Sequence, residues 1–313
     1  MDIVNTPKVL GLNGFGLEVP DIAVARKFYT AFGLQAEDRA EALLLRSPGR
    51  TNDEIVVVKG AKKRMHHISF YIPPGSQDAF AEKIQSYGLK TYDAAPPGGV
   101  RNGLWFQDPW GTWINLNPCL PQPTPQVLLP AFNLGGRADR VDVNLWQELN
   151  KKRPPLRIGH MLIFTPDWEA AEAFFSDVLG LRPVDRVVGK GSFMAAGEGV
   201  VDHHCFVLMK SSHRGLQHAS FQVASFDDIG FGAWNMREAG YKEGFGPGRH
   251  AIASNLFQYF RDPWGSWVEY YADMDKITEK WKCRDWSALP YTWGPEWSPE
   301  FWSQQMNGNF EPA

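Results

Sequence analysis

Three residues in the second half of the sequence, His160, His218 and Glu269, have side chains that together can bind a metal ion. Two imidazoles and one carboxylate form the facial triad that holds non-haem Fe(II) on one side and leaves other positions open for ligands. Glu269 lies in an otherwise apolar stretch, where an unpaired buried carboxylate would be costly. Because a bound cation would remove that cost, we interpret the three residues as a metal site.

An internal repeat supports this interpretation. Residues 106–115 (FQDPWGTWIN) and 260–269 (FRDPWGSWVE) share a DPWGxW motif at a separation of 154 residues, about half of the 313-residue chain. Further upstream, HISF at 67–70 matches HASF at 218–221. The two halves are therefore copies of one design.

The aligned positions of the two copies differ in their chemistry. The first half carries Gly14, His67 and Asn115 where the second half carries the three candidate ligands. The first half has thus lost two of the three ligands, and we expect a metal only in the second half.

Each half also divides into two modules with the same order of elements. Asp21 and Asp167 each follow a proline and begin a helical pattern that ends at a glycine, as favourable N-cap and C-cap residues do. The second module of each half contains a helix, over about 77–87 and 227–239, before strands that end at the DPWG turn. The predicted fold is α+β, with four βαβββ modules arranged as two homologous domains.

The predicted boundaries follow from the limits of the repeat. They are an N-terminal domain over 8–118 that has lost its metal site, a linker over 119–157, a catalytic domain over 158–272 and a tail over 273–313. The tail holds five of the 13 tryptophans. We expect it to pack over the site mouth or at a subunit contact; the alternative is that it only covers sheet edges.

Composition excludes several function classes. A net charge of -3 and the lack of a basic face argue against a nucleic-acid partner. No apolar run is long enough for a membrane span, and the first residues show no basic region followed by an apolar stretch, so we expect neither a membrane span nor secretion by that route. Three widely spaced cysteines without a CxxC pair favour a reducing compartment, so we expect a cytoplasmic protein.

Other titratable residues gather in the same half as the candidate ligands. His204 precedes a predicted strand, and it is the best candidate for acid–base work because imidazole titrates near neutral pH. His250 and Tyr259 can converge on the same face, although Tyr259 could serve only in packing. His203 and His213 are expected to be loop residues.

These residues stand in motifs that resemble the two-domain type I extradiol ring-cleavage dioxygenases of the vicinal oxygen chelate superfamily, which have a glyoxalase-like fold. The resemblance covers about residues 8–275. The motifs that carry it are IGH at 158–160, HH at 203–204, LQHASF at 216–221, GPGRH at 246–250, SN at 254–255, YFRDPWG at 259–265 and VEYY at 268–271.

The resemblance implies roles for the residues of these motifs. His160, His218 and Glu269 match the iron ligands, although the ligands alone also suit Mn(II). His204 matches the catalytic histidine, while His250 and Tyr259 match residues that hydrogen-bond substrate oxygens. The implied partners are a catecholic small molecule and O2, and the implied assembly is the homo-oligomer common in the family.

Two departures from the family pattern bear on the substrate. Members that act on 3,4-dihydroxyphenylacetate carry Arg and Asn where this chain has Phe245 and Leu162. Together with Asn255, these are the predicted substrate contacts. We therefore expect cleavage of a neutral ring in aromatic compound degradation: a catechol, an alkylcatechol or a trihydroxylated ring such as trihydroxytoluene.

Two other function classes stay open at this point. A glyoxalase-type isomerase or lyase would use a different divalent metal, but it has no use for His204, His250 and Tyr259. A non-catalytic protein that sequesters aromatic compounds would leave the intact triad of the second half unexplained.

Overall fold

The structure is a computed structural model, and it describes residues 7–94, 100–145, 154–296, 301 and 311–312. Strands dominate the described residues, which contain four α-helices. No described helix has the length and apolar character needed to cross a membrane.

The first half contains two βαβββ modules. Their elements are β1 (Gly11–Val19), α1 (Ile22–Ala31), β2 (Gln35–Arg39), β3 (Ala42–Arg46), β4 (Ile55–Lys59), β5 (Arg64–Ile72), α2 (Gln77–Ser86), β6 (Thr91–Tyr92), β7 (Leu104–Gln107) and β8 (Trp113–Pro118).

The second half repeats this order with one short additional strand. Its elements are β9 (Arg157–Thr165), α3 (Trp168–Leu179), β10 (Arg182–Val187), β11 (Gly191–Ala195), β12 (Val201–Asp202), β13 (Phe206–Lys210), β14 (His213–Gln222), α4 (Phe226–Glu238), β15 (Gly244–His250), β16 (Leu256–Arg261) and β17 (Trp267–Ala272). Four short strands follow: β18 (Lys276–Ile277), β19 (Arg284–Trp286), β20 (Tyr291–Trp293) and β21 (Glu311–Pro312).

Each half forms one sheet, and the two sheets share a topology. The first has the order β2-β3-β4-β1-β5-β8-β7-β6, and the second has β10-β11-β13-β9-β14-β17-β16-β15 at its centre. In each sheet the first strands of the two modules pair antiparallel, and each of them pairs parallel with the last strand of its own module. The prediction of an α+β fold with four βαβββ modules in two homologous domains is confirmed.

Local sequence signals explain where the first helix of each half begins and ends. The side chain of Asp21 accepts a hydrogen bond from Ala23 N at 2.8 Å, and that of Asp167 accepts one from Ala170 N at 3.0 Å. Gly180 ends α3 in the left-handed region, with φ of 67°, which glycine adopts without a steric penalty. The two predicted aspartate N-caps and the Gly180 C-cap therefore set the helix bounds, whereas α1 is capped by Phe32, one residue before the predicted Gly33.

The two halves bury one common apolar core. The rings of Phe32 and Tyr270 stack with centroids 4.0 Å apart, and Tyr270 Oη donates to the carbonyl of Phe32 at 2.7 Å. A buried ion pair also crosses between the halves, with Lys63 Nζ 2.9 Å from Asp262 Oδ2. The sheet that carries the candidate site is thus supported by the half that lacks it.

The predicted domain boundaries stay predictions, but the structure shows where their segments run. The described part of the linker, 119–145 and 154–156, contains no helix or strand. The tail extends the second sheet, because β19 pairs parallel with β10 and β20 pairs antiparallel with β15.

Candidate metal centre and active site

Three adjacent strands at the centre of the second sheet carry the candidate ligands. Ser220 on β14 pairs with His160 on β9 and with Glu269 on β17, so these residues form one row across the sheet. His218 lies two residues before Ser220 on β14, and alternate residues of a strand face the same side. The strand register therefore brings both imidazoles and the carboxylate to one face.

The ligand atoms of the three side chains have a spacing suited to a metal ion. They all lie within 4.8 Å of one another. Glu269 Oε2 is 3.1 Å from His160 Nε2 and 3.7 Å from His218 Nε2. Ligands at right angles on a centre with bonds of about 2.1 Å lie about 3 Å apart, so the observed distances suit one ion.

Hydrogen bonds orient these ligands. His218 Nδ1 bonds to the side-chain oxygen of Gln217, which leaves Nε2 of that imidazole buried with no hydrogen-bond partner among the described residues. Ser220 Oγ donates to Glu269 Oε2, and Asn255 Nδ2 donates to Glu269 Oε1 at 3.4 Å. A buried nitrogen without a partner is costly unless a ligand binds it, so the donor set fits a metal ion.

The electrostatics of the site favour the protonation states that bind metals. Burial lowers the pKa of His218 to about 3, which keeps the imidazole neutral near pH 7. Burial would raise the pKa of Glu269, but hydrogen bonds with His160 and His250 and the nearby imidazoles hold this pKa well below its usual range. Neutral imidazole nitrogens and an ionised carboxylate are the forms that bind a divalent cation.

His204 lies against the first candidate ligand. Its ring centroid is 4.4 Å from that of His160, and its ring also contacts Phe193 at 5.1 Å. Burial is the largest cause that holds the pKa of His204 well below its ordinary value, and the neighbouring imidazoles of His160 and His203 lower this pKa further. This residue therefore enters the site as a neutral imidazole that can accept a proton.

His250 and Tyr259 form a hydrogen-bonded pair beside Glu269. His250 Nε2 is 3.1 Å from Tyr259 Oη and 3.8 Å from Glu269 Oε1. Burial and the charge of Glu269 raise the pKa of Tyr259, so its phenol keeps the proton and can donate it in a hydrogen bond. The structure thus brings together all six residues predicted as ligands or acid–base groups.

An apolar pocket opens over these residues. Among the predicted substrate contacts, Leu162 and Asn255 line it. Phe245 does not: its ring stacks on Phe257 and packs behind Tyr259, with centroids 5.4 and 5.9 Å away. The expectation that Phe245 contacts substrate therefore lacks support from the pocket lining.

Residues of the tail complete the pocket wall. Leu289, Pro290 and Phe301 all line the pocket. The carbonyl of Phe301 also accepts a hydrogen bond from Gln217 Nε2 at 2.9 Å, and Gln217 in turn orients His218. The repeat gave no signal for these residues because the tail has no counterpart in the first half.

Sequence analysis missed the functional importance of two further residues, one beside the site and one in the first half. His203 is a loop residue, as expected, yet it is fully buried and bonds to His204 and Asp185. In the first half, Arg101 lies beside His67. Counting back from the DPWG motifs aligns Arg101 with Asn255, so a residue-by-residue comparison of the two copies would have identified it.

Comparisons with known proteins agree with the geometry. The model of the Glyoxalase/Bleomycin resistance protein/Dioxygenase superfamily matches residues 157–270. The chain is 35% identical over 297 residues to Metapyrocatechase 2 of Cupriavidus necator, covering 94% of this chain and 91% of that protein. It is 24% identical over 248 residues to a manganese-dependent 2,3-dihydroxybiphenyl 1,2-dioxygenase of Geobacillus genomosp. 3, covering 75% and 76%.

Solved structures show the same architecture. An extradiol ring-cleaving dioxygenase from B. fuscum superposes with a TM-score of 0.74 at 19% identity, covering 99% of this chain and 87% of that one. The arrangement of two such halves, one of them with a His-His-Glu cluster, and the identity to the metapyrocatechase over nearly the whole chain lead to one conclusion. The chain belongs to the extradiol ring-cleavage dioxygenases of the glyoxalase/bleomycin resistance/dioxygenase superfamily.

Proposed function

We propose that this chain uses Fe(II) and O2 to cleave a neutral catecholic ring beside its diol, in the degradation of aromatic compounds. The observation that carries the proposal is the convergence of His160, His218 and Glu269 beneath an apolar pocket that His204 and Tyr259 also line. Each of these features alone would also fit a metal-dependent isomerase, so the proposal depends on their combination.

The triad would hold the metal through His160, His218 and Glu269. When bound, Fe(II) would supply coordination positions for the substrate diol and O2 and the electron transfer between them. Iron is proposed ahead of manganese, because two imidazoles and one carboxylate form the set typical of non-haem Fe(II) oxygenases.

The chain's own residues have separable roles in this proposal. His204, a neutral and buried imidazole, takes a proton from the substrate diol and later returns it to the reacting oxygen. Tyr259 Oη, whose phenol stays protonated, donates a hydrogen bond to a substrate oxygen, and His250 holds that hydroxyl in place at 3.1 Å. The apolar walls exclude water from the reacting groups.

The lining of the pocket supports a substrate without charge. Away from the polar groups of the site, the described walls are formed by apolar side chains, among them Leu162, Phe193, Val207, Met209, Ile252 and Phe301. No arginine or lysine is among the described lining residues, so a carboxylate on the ring would have no cationic partner. We therefore propose a catechol, an alkylcatechol or a trihydroxylated ring such as trihydroxytoluene.

Assembly and location are proposed on separate grounds. We propose a homo-oligomer because the irregular segment after the first domain exposes several large apolar side chains, which favour burial against another copy. These are Leu120, Leu128, Leu134, Val141 and Val143. The free state of all three cysteines supports the cytoplasm as the location. We retain the four boundaries, 8–118, 119–157, 158–272 and 273–313, as the proposed domain division.

Oxygen uptake with a panel of catechols tests the function. The protein is purified anaerobically, its iron is measured, and O2 consumption is followed with neutral catechols and with 3,4-dihydroxyphenylacetate. We expect iron in the protein, uptake of one O2 per ring, a yellow ring-cleavage product and a preference for the neutral rings. The His218→Ala variant should lose iron and activity together, while exposed Phe226→Ala should keep both.

The same measurements separate the two other function classes. A glyoxalase-type isomerase or lyase would bind a divalent metal without consuming O2. A non-catalytic binding protein would retain the catechol unchanged, with no dependence on metal. Either result would reject the proposed dioxygenase activity.

A further inference from the structure

Behind His204, a second histidine and a carboxylate form a buried chain of hydrogen bonds. His204 Nδ1 lies 3.1 Å from His203 Nδ1, and His203 Nε2 lies 3.1 Å from Asp185 Oδ2. The exposed fractions of His203 and Asp185 are 0% and 1%, so water does not complete these bonds. The chain runs from the pocket wall into the interior.

For an ionised Asp185 and a neutral His203, the chemistry of the groups sets the direction of each hydrogen bond. A carboxylate only accepts, so the proton between Asp185 and His203 is on Nε2 of His203. In a neutral imidazole the other nitrogen is then an acceptor, so Nδ1 of His203 accepts from Nδ1–H of His204. That leaves Nε2 of His204 without a proton, and His204 lines the pocket.

The tail holds this chain of bonds in place. Arg284 N donates to Asp185 Oδ1 at 3.2 Å, so both carboxylate oxygens of Asp185 are engaged. The ring of Trp281 packs edge-on against His203, with centroids 5.2 Å apart, and its Nε1 donates to the carbonyl of Val184 at 3.1 Å. These contacts give the tryptophan-rich tail a specific position behind the site.

The first half lacks the equivalent groups. Phe206 on β13 and Ile55 on β4 occupy equivalent register positions. Asn52 and Asp53 are therefore the counterparts of His203 and His204 in the first half. Both histidines therefore occur in the half that has the metal triad, and the half that has lost the triad has neither.

We propose that Asp185 and His203 are positioning residues that hold His204 as the Nδ1–H tautomer, with the free electron pair of Nε2 directed to the substrate. This inference rests on the proposed function, in which His204 takes a proton from the diol. A neutral imidazole in solution populates both tautomers, and the chain of bonds selects the one that can act as a base at the pocket.

Asp185→Asn exchanges the donor and acceptor roles along the three hydrogen-bonded side chains, with almost no change in the shape of residue 185. Its amide nitrogen donates to His203 Nε2, which forces the proton of His203 onto Nδ1 and that of His204 onto Nε2. We expect kcat to fall about 10²-fold or more, within the range of acid–base catalysis, with the KM for catechol and the metal content little changed. Asp285→Asn, which alters an exposed carboxylate beside Arg284, should leave kcat unchanged.

His203→Gln is the conservative test, because its amide can accept from His204 and donate to Asp185 with the original polarity. We expect this variant to keep kcat within about tenfold of the wild type, well above that of Asp185→Asn. If Asp185 and His203 served only in packing, His203→Gln would lower kcat more than Asp185→Asn, since it changes the shape of the buried group more. A lower kcat in His203→Gln than in Asp185→Asn would overturn the proposal.

Histidine-labelled 15N NMR of the metal-free protein reads the tautomer without any turnover, with His204→Phe assigning the signals. We expect Nδ1–H in the wild type and Nε2–H in Asp185→Asn. A wild-type Nε2–H tautomer, or the same tautomer in both proteins, would refute the inference. Absence of O2 uptake by the wild type would instead reject the proposed function, and the NMR result would still decide the tautomer.

Discussion

The guanidinium of Arg101 donates from Nε to Nε2 of His67 at 2.8 Å, in the half of the molecule without the triad. His67 is the counterpart of His218, and Arg101 aligns with Asn255. A Cβ built on Gly14, the counterpart of His160, would lie 2.8 Å from Arg101 Nη2. The guanidinium of Arg101, a side-chain cation, therefore occupies the region that corresponds to the candidate metal site of the second half.

This arrangement predicts one metal ion per chain. His67→Ala should leave the metal content unchanged, because the Nε2 atom of His67 already accepts a hydrogen bond from a cation. His218→Ala, at the equivalent position of the other half, should reduce the metal content to near zero. Metal analysis of the two purified variants checks this, and a loss of metal in His67→Ala would contradict it.

A pH dependence of stability follows from the burial of His67. Burial is the largest cause that holds the pKa of His67 well below its ordinary value, and the charges of Arg101 and His66 lower this pKa further. The neutral His67 of the folded protein therefore contributes its full stability above the pKa of about 6.5 that this residue has in the unfolded state. The contribution is lost as the pH falls below that value, because only the unfolded state then binds the proton. The free energy of unfolding should fall by up to about 1.4 kcal/mol per pH unit from this residue alone.

Urea unfolding of the metal-free protein at several values between about pH 6.5 and pH 5 measures that dependence. His67→Gln is the matched control, because its amide oxygen can accept from Arg101 and does not titrate. The variant should show a shallower loss of stability with falling pH. Identical slopes in the two proteins would show that His67 takes up no proton on unfolding.

The buried ion pair between the halves should contribute strongly to stability. The side chains of Lys63 and Asp262 are 1% and 2% exposed, and burial lowers the pKa of Lys63. Lys63→Met would leave the carboxylate buried without its cation, at a cost of about 3–5 kcal/mol in the free energy of unfolding. Urea denaturation measures the difference.

An exposed ion pair between the same two halves provides the control. Lys8 and Glu198 are 2.9 Å apart, with side chains 53% and 72% exposed, so Lys8→Met should cost at most about 1 kcal/mol. The double variant Lys63→Met with Asp262→Asn should recover part of the loss. Equal costs for the buried and exposed pairs would contradict the role of burial.

The repeat made most of the fold and the clustering of the candidate metal ligands predictable. A shared DPWGxW motif and paired His positions identified the two copies, and aspartate caps placed two helices, because these signals are local. The candidate triad was visible because its three positions could be compared with Gly14, His67 and Asn115, of which only His67 keeps the chemistry of its counterpart.

The remaining parts of the site depend on contacts between distant segments. Phe301 reaches the pocket from the tail, and Asp185 on β10 meets His203 from the loop between β12 and β13. Phe245 was assigned to the pocket by family position, and its ring packs against Tyr259 and Phe301, which both line the pocket. Side-chain packing decides such contacts, and residue spacing does not encode it.

Phe301 should determine how well the pocket fits a small ring. It is 2% exposed, its ring packs edge-on against Tyr259 with centroids 4.8 Å apart, and its carbonyl anchors Gln217.

Phe301→Ala removes the ring and keeps the carbonyl, so the orientation of His218 and the metal content should be preserved. The KM for unsubstituted catechol should rise about tenfold from lost apolar contact, and that for a bulky alkylcatechol should rise less or fall. Steady-state O2 uptake with both substrates checks the prediction, with Phe226→Ala as an exposed aromatic control; equal changes for the two substrates would exclude Phe301 as a determinant of substrate size.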